Sequence, residues 1–309
     1  MSSLQRDGRK WASILSARLG ARSFLRSGTF RIARIRSHVA LLVVVVLAGC
    51  ISDKREEEIG STMAADVNVH LPIIEDSLLN SYVQTLGQRI GEVSGRPEIE
   101  YTFYIVNTDI ANAFALPGGH IYLTRGLISR MEDGAEFAGA LAHEIGHVAA
   151  RHGVEKLQRE LRTGSLVDVL YNTILGWEPE LLGENSLQLA EEIWTARNSR
   201  LDEEEADRLA VQYLLKAGID PNGVVTLLES LLREEQADSS QFGRLETWFL
   251  SHPLTESRIV GAREAIEDLN MEVAPVAGDL DGFDQFRELV SSYAPDDAFS
   301  DSTFLTPAQ

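Results

Sequence analysis

Disulfide chemistry is closed to this chain, because Cys50 is the only cysteine in 309 residues and no internal bridge can form. Long apolar runs are missing as well. Val39 to Ala48 is ten residues long, half of the roughly 20 that a membrane-spanning helix needs. Basic residues become scarce once the first segment is passed: residues 1–49 hold nine Lys or Arg and a single Asp, and the remainder holds 19 basic against 46 acidic groups. A body so negative repels nucleic acid and anionic surfaces, so no nucleic-acid partner is expected, and solubility is the plain use of the charge. Histidine is sparse too, seven in all, which makes any pattern among the histidines informative.

The first segment reads as an export signal. Arg31, Arg34 and Arg36 precede the apolar run and Leu47-Ala48-Gly49-Cys50 closes it, the order of positive, apolar and small residues found in secretory signal peptides. That ending resembles the bacterial lipoprotein cleavage box, in which the cysteine becomes the lipidated first residue. Residues 1–49 are therefore expected to be a lipoprotein signal peptide and Cys50 a membrane anchor. Acyl chains at about 0.8 kcal/mol per buried CH₂ hold even an acidic body at a membrane. Ile51 in place of Asp after the cysteine points, by the sorting rule of enteric bacteria, to the outer membrane. The stretch before the apolar run is longer than an ordinary positive region, which suggests a true start downstream. Being rich in Arg and Ser and poor in acids, it also fits a mitochondrial transit peptide. The cysteine box decides for the bacterial cell envelope, with the mitochondrion as the alternative.

The densest chemistry is His143-Glu144-Ile145-Gly146-His147, set in the apolar run Phe137 to Ala150. Two histidines four apart share one side of an α-helix, so both imidazoles reach one metal ion, and Glu144 reaches a water beside it. This is the H-E-x-x-H arrangement of zinc metallopeptidases. Phe137, Leu141 and Val148 recur at helical spacing, and Glu132-Asp133-Gly134 offers a start. His152 falls about 140° round such a helix from His147 and reads as structural.

Other segments are plainer. Ser52 to Met63 is polar and charged and reads as a tether. Leu78, Leu79, Tyr82, Val83, Leu86, Ile90 and Val93 mark an amphipathic helix closed by Gly95 and Pro97. Tyr101 to Val106 has strand composition, and Ala111–Ala115 and His120–Thr124 flank Leu116-Pro117-Gly118-Gly119 as a β-hairpin would. Asp220-Pro221 starts a helix. Gly164 to Leu189 contains an apolar helix, by default part of the core. From Met271 the chain has eight acids, one base and three prolines. Only Phe283, Phe286, Leu289 and Val290 suggest a short helix there, and the rest is expected to be mobile.

A catalytic zinc needs a third protein ligand with one position left for water. The acidic run Asp202-Glu203-Glu204-Glu205-Ala206-Asp207 offers candidates, although such a run by itself is equally a solvated helix face. Four motifs together decide more: Asn112 to Gly119, His143 to His147, the Glu-x-x-Ala-Asp run, and Ser251-His252-Pro253-Leu254-Thr255-Glu256-Ser257-Arg258. With these, Leu71 to Leu269 resembles the gluzincin peptidases of the HtpX and CAAX-prenyl-protease type, in their periplasmic lipoprotein branch (LoiP-like and BepA-like). The resemblance implies Zn²⁺ held by His143, His147 and Glu203, Glu144 as general base, and Asp207 orienting a ligand imidazole. It also implies one of two roles for His252, a hydrogen bond to the developing oxyanion or a fourth metal ligand that holds the resting enzyme shut. Arg258 stabilises the oxyanion or, more simply, pairs with nearby acids.

The expected architecture is α+β and mostly helical, a zincin-type domain with a small sheet. Its boundaries are 1–49 signal peptide, 50–70 lipidated tether, 71–270 zinc metallopeptidase domain and 271–309 acidic tail. The expected function is a zinc endopeptidase for unfolded or misfolded periplasmic and outer-membrane proteins, with substrate chains laid as an extra strand along Asn112 to Leu123. A lipid-anchored chaperone or assembly factor with a structural zinc is the rival from another class, and an exopeptidase is a third. Oligomeric state is not legible.

Overall fold

The computed structural model describes residues 51–163, 198–237, 248, 251–269, 280 and 282–294. The signal segment, the anchor Cys50 and the apolar stretch Gly164 to Leu189 lie outside the described residues.

Helix α1, Asp53–His70, starts where the Ser52 side chain accepts from the Arg55 N–H. It corrects the tether expectation for Ser52 to Met63. Six of its first eight residues are charged, which hides the stripe of Ile59, Met63, Ala64 and Val67, all buried. These side chains pack α1 onto the body, and each adds about 1.5–3 kcal/mol for the larger ones. Helix α2, Ser77–Gly91, is capped by Asp76 and buries Leu79, Val83, Leu86 and Ile90, the stripe expected from its sequence.

Three short strands follow: β1, Thr102–Val106; β2, Ala113–Leu116; and β3, His120–Thr124. Their order is β1-β3-β2, with β1 parallel and β2 antiparallel to β3. Phe103 sits opposite Ile121, and Ile121 opposite Ala115. The hairpin turns through Pro117-Gly118-Gly119, where Gly118 and Gly119 adopt φ of 78° and 91°, values that favour glycine. The outer edge of β1 is capped from α2. The Gln84 amide donates to Tyr101 O at 2.7 Å and accepts from the Phe103 N–H at 3.2 Å, as a strand neighbour would. That leaves β2 as the sheet's other margin, and it faces the site.

A short helix α3, Arg125–Ile128, leads to α4, Gly134–Ala150, the central helix. Asp133 caps α4 by accepting from the Ala135 and Glu136 N–H groups at 2.8 and 3.0 Å. Its residues from Phe137 to Val148 are all buried, as a helix surrounded by others requires. Helix α5 is His152–Thr163, α6 is Arg200–Lys216 and α7 is Asn222–Ala237. The side-chain-free face of Gly146 lets α6 approach: a Cβ there would lie 3.0 Å from Ala206 O. Helix α8, Glu256–Asp268, buries Arg258 and Ala262.

The short helix expected in the acidic tail is present. Helix α9, Phe283–Ser291, docks on the domain instead of trailing from it. Phe283 and Phe286 stack against Phe137 at 5.5 and 5.1 Å, and Phe286 lies 4.5 Å from the Tyr82 ring. Net charge suggested a mobile tail; three buried apolar residues outweigh it locally. Among the described residues no helix is long and apolar enough to cross a membrane.

Candidate metal centre

Helices α4, α6 and α8 meet the sheet at one buried cluster. His143 and His147 project from consecutive turns of α4, with their Nε2 atoms 3.0 Å apart. From α6, Glu203 brings Oε2 to 3.5 Å from His143 Nε2 and Oε1 to 3.3 Å from His147 Nε2. The segment before α8 brings His252, whose Nδ1 lies 3.1 Å from Glu203 Oε1 and 3.4 Å from His143 Nε2. One donor atom from each of these four buried residues falls within 4.8 Å of the other three.

Each ring is oriented from behind. Asp207, one turn along α6 from Glu203, places Oδ1 2.9 Å from His143 Nδ1. His147 Nδ1 meets His152 Nδ1 at 2.8 Å. The His252 Nε2–H donates to Ala113 O on β2 at 3.3 Å, and its ring stacks on Trp248 at 4.5 Å. With their outer nitrogens so engaged, the rings direct lone pairs inward. Nitrogens converging beside a carboxylate in this way need a proton or a cation among them, and the set offers a cation four donors. Glu144 adds an orphan: its buried Oε1 has no hydrogen-bond partner among the described residues and lies 3.7 Å from His252 Nε2. Imidazoles with one carboxylate are a ligand set that metal ions such as zinc take, so the residues fit a metal ion.

Burial and charge set the protonation. Burial pushes the Glu144 carboxyl up from its ordinary value. Burial would raise Glu203 as well, but His252 and Arg258 beside it hold it well below the usual carboxylate range. His143 resists burial because hydrogen bonds to Asp207 and Glu203 lift it to about 9, while burial drives His147 down.

Arg258 makes the contacts of the pairing alternative. Its Nε and Nη2 grip the two Asp207 oxygens at 2.7 and 2.8 Å, and Nη1 reaches Glu203 Oε2 at 2.7 Å. With the guanidinium 2% exposed and so engaged, its charge is spent on holding the α6 carboxylates. His152 also differs from the sequence reading. The chain leaves the helix at Arg151, in the left-handed region at φ 65°, and this swings His152 back against His147.

Two further residues went unnoticed in the sequence. Asn198 donates from Nδ2 to Glu203 Oε1 at 2.6 Å, and its N–H bonds Ser251 O at 3.1 Å, tying the α6 entry to the His252 segment. Lys156, on α5, shares with Phe114, Ala115, Glu144, His147 and His252 a cleft of about 30 Å³, and burial lowers its ammonium to about 8. Asn198 stands just before the Ser199 cap of α6, the one sign that could have pointed to it.

Residues 77–266 match the model of peptidase family M48. The chain is a member of peptidase family M48. Among curated proteins it is 29% identical over 253 residues to the beta-barrel assembly-enhancing protease of Yersinia pestis, covering 80% of this chain and 51% of that one. It is 29% identical over 178 residues to the mitochondrial metalloendopeptidase OMA1 of Schizosaccharomyces pombe, covering 58% and 50%. Against metalloprotease YcaL of Escherichia coli it is 31% identical over 174 residues, covering 56% and 64%. The chain thus spans about half the length of the first of these relatives.

Proposed function

We propose that this M48 protein is a zinc metalloendopeptidase that cleaves unfolded or misfolded proteins of the bacterial cell envelope, held at the membrane by lipid on Cys50. The observation that carries the peptidase reading is Glu144, a buried carboxylate with an unpaired oxygen beside inward-facing imidazoles. His143, His147 and Glu203 would hold the zinc, which when bound supplies Lewis-acid polarisation of the scissile carbonyl. Glu144 takes the proton of the attacking water and returns it to the leaving amine, a transfer that burial favours by raising its basicity. Asp207 and Arg258 hold their partners in register, as positioning residues. Strand β2, at the margin of the sheet with Phe114 and Ala115 on the cleft, supports an extended substrate added as a further strand. Backbone pairing of that kind is blind to sequence, which suits unfolded chains.

The closeness of His252 Nδ1 to Glu203 and His143 supports the role of a fourth donor over that of an oxyanion partner. It closes the resting site and has to swing out before a substrate carbonyl enters. The same four-donor set is what favours the rival, a lipid-anchored assembly factor with a structural zinc, since structural sites are closed. The envelope assignment draws on the beta-barrel assembly-enhancing name of the bacterial relatives, and OMA1 keeps the mitochondrial alternative in view.

Glu144→Gln separates the readings. With an unfolded protein as substrate and metal content measured in parallel, turnover should fall about 10²- to 10⁴-fold while zinc stays bound. Unchanged turnover would refute the mechanism, and absence of cleavage by the parent protein would favour the assembly factor.

A further inference from the structure

We propose that His152 is a positioning residue for the metal centre: it fixes the tautomer of His147 and is itself oriented by Glu205. The inference rests on the metal-binding reading above. His152 is 4% exposed, its Nδ1 lies 2.8 Å from His147 Nδ1, and its Nε2 lies 3.6 Å from Glu205 Oε2. Two ring nitrogens this close share one proton. His147 Nε2 faces His143 Nε2 and Glu203 Oε1, so its lone pair must point inward for a metal to be held. The His147 proton then resides on Nδ1, and His147 donates to His152 Nδ1. His152 in turn carries its own proton on Nε2, the nitrogen that faces Glu205. A carboxylate, an imidazole and a ligand imidazole thus stand in one line from the half-exposed Glu205 to the cluster.

The two α4 ligands are therefore backed differently. His143 has a buried carboxylate directly behind it, Asp207 at 2.9 Å, whereas His147 has a second imidazole between it and the nearest carboxylate on that side. Outer partners of this kind orient a ligand and raise its basicity. The arrangement depends on the break at Arg151. A continuous helix would carry His152 about 140° away from His147, out of reach. A left-handed residue other than glycine is uncommon. Here Arg151 is held in that turn by Asp53 and Glu56 of α1, at 2.8 and 3.0 Å.

The test uses the full chain stripped of metal by chelation. Cobalt binding is followed by its visible absorption, and zinc affinity by competition with a chelator of known strength. His152→Phe, which removes the acceptor, should weaken affinity about 10- to 100-fold while the metal-free protein melts near the parent temperature. His152→Gln, whose amide oxygen accepts from His147, should recover most of the loss, and Glu205→Gln should give a smaller loss in the same direction. Parent-like affinity in His152→Phe, or equal weakness of the Phe and Gln variants, overturns the relay. If His152→Phe fails to fold, Glu205→Ala decides, because its side chain lies outside the core and parent-like affinity there overturns the proposal. A parent protein that takes up no metal overturns the metal-centre reading itself, a different result from parent and variants binding alike.

Discussion

Replacing Arg258 by Met tests whether that guanidinium holds the α6 carboxylates or serves the reaction directly. The side chain is 2% exposed, donates two charge-assisted hydrogen bonds of 2.7 and 2.8 Å to Asp207, and forms an ion pair with Glu203 at 2.7 Å. Met fills much of the same volume and leaves two buried carboxylates facing each other without their counter-charge. Breaking a buried pair by removing one partner costs about 3–5 kcal/mol. At roughly 2–4 °C per kcal/mol for a domain of this size, the melting temperature of the chelated protein should drop by about 6–20 °C. The companion variant Asp207→Asn removes one of the stranded charges, so Arg258→Met with Asp207→Asn should lose less stability than the two single losses added together, by about 0.5–3 kcal/mol. Thermal unfolding of the four metal-free proteins measures all of this. An arginine that instead stabilises a developing oxyanion predicts the opposite pattern, a turnover loss of about 10²–10³ with stability unchanged. Arg258→Met melting with the parent while turnover collapses would therefore refute the positioning argument.

Three further outcomes follow from the same geometry. Chelation should lower the melting temperature and zinc should restore it, by about 2.7 kcal/mol at a free concentration 100 times the dissociation constant; a melting curve indifferent to metal would contradict the site. Phe286→Ala should cost about 3–5 kcal/mol, because its ring packs between Tyr82 and Phe137; a loss below about 0.5 kcal/mol, the scale of an ordinary surface change, would mean that α9 does not dock in solution. At alkaline pH, burial raises the phenols of Tyr101 and Tyr82 to about 12 from an ordinary value near 10. A raised folded value contributes stability that is complete below pH 10 and is lost as pH climbs from about 10 to 12. For the well-buried Tyr101 this amounts to about 3 kcal/mol, and less for the partly exposed Tyr82. Phenolate absorbance recorded during alkaline unfolding checks it, and both tyrosines ionising near 10 in the folded protein would contradict it.

How much of this was legible in the sequence depends on how far apart in the chain the cooperating residues lie. His143 and His147 declare a shared face because helical spacing is local, and Glu203 and Asp207 repeat that logic on α6. The strands and the hairpin were readable for the same reason, from alternating apolar residues and a Pro-Gly-Gly turn. Arg258 was harder. Its choice between oxyanion and carboxylates turns on α8 crossing α6, a meeting of segments 51 residues apart that no periodicity encodes. Charge misled at one end, where the run Asp53 to Glu58 concealed a buried stripe in α1, whereas in the tail the spacing of Phe283, Phe286 and Val290 showed the short helix but not where it docks.

The case of His152 differs in kind, and it bears on how the site is built. On a continuous helix His152 would face away from His147, and one residue, Arg151, breaks that continuity. What keeps Arg151 in its left-handed turn is Asp53 and Glu56 of α1. Glu56 is buried and also receives Arg96, which donates as well to Val148 O at the end of the metal-binding helix. Helix α1 is thus bonded to Arg151 at the bend that delivers His152 to His147 and, through Arg96, to the end of the helix before it. A segment read as a mere tether is part of the scaffold of the metal centre, so deleting α1 should disturb the geometry of His147.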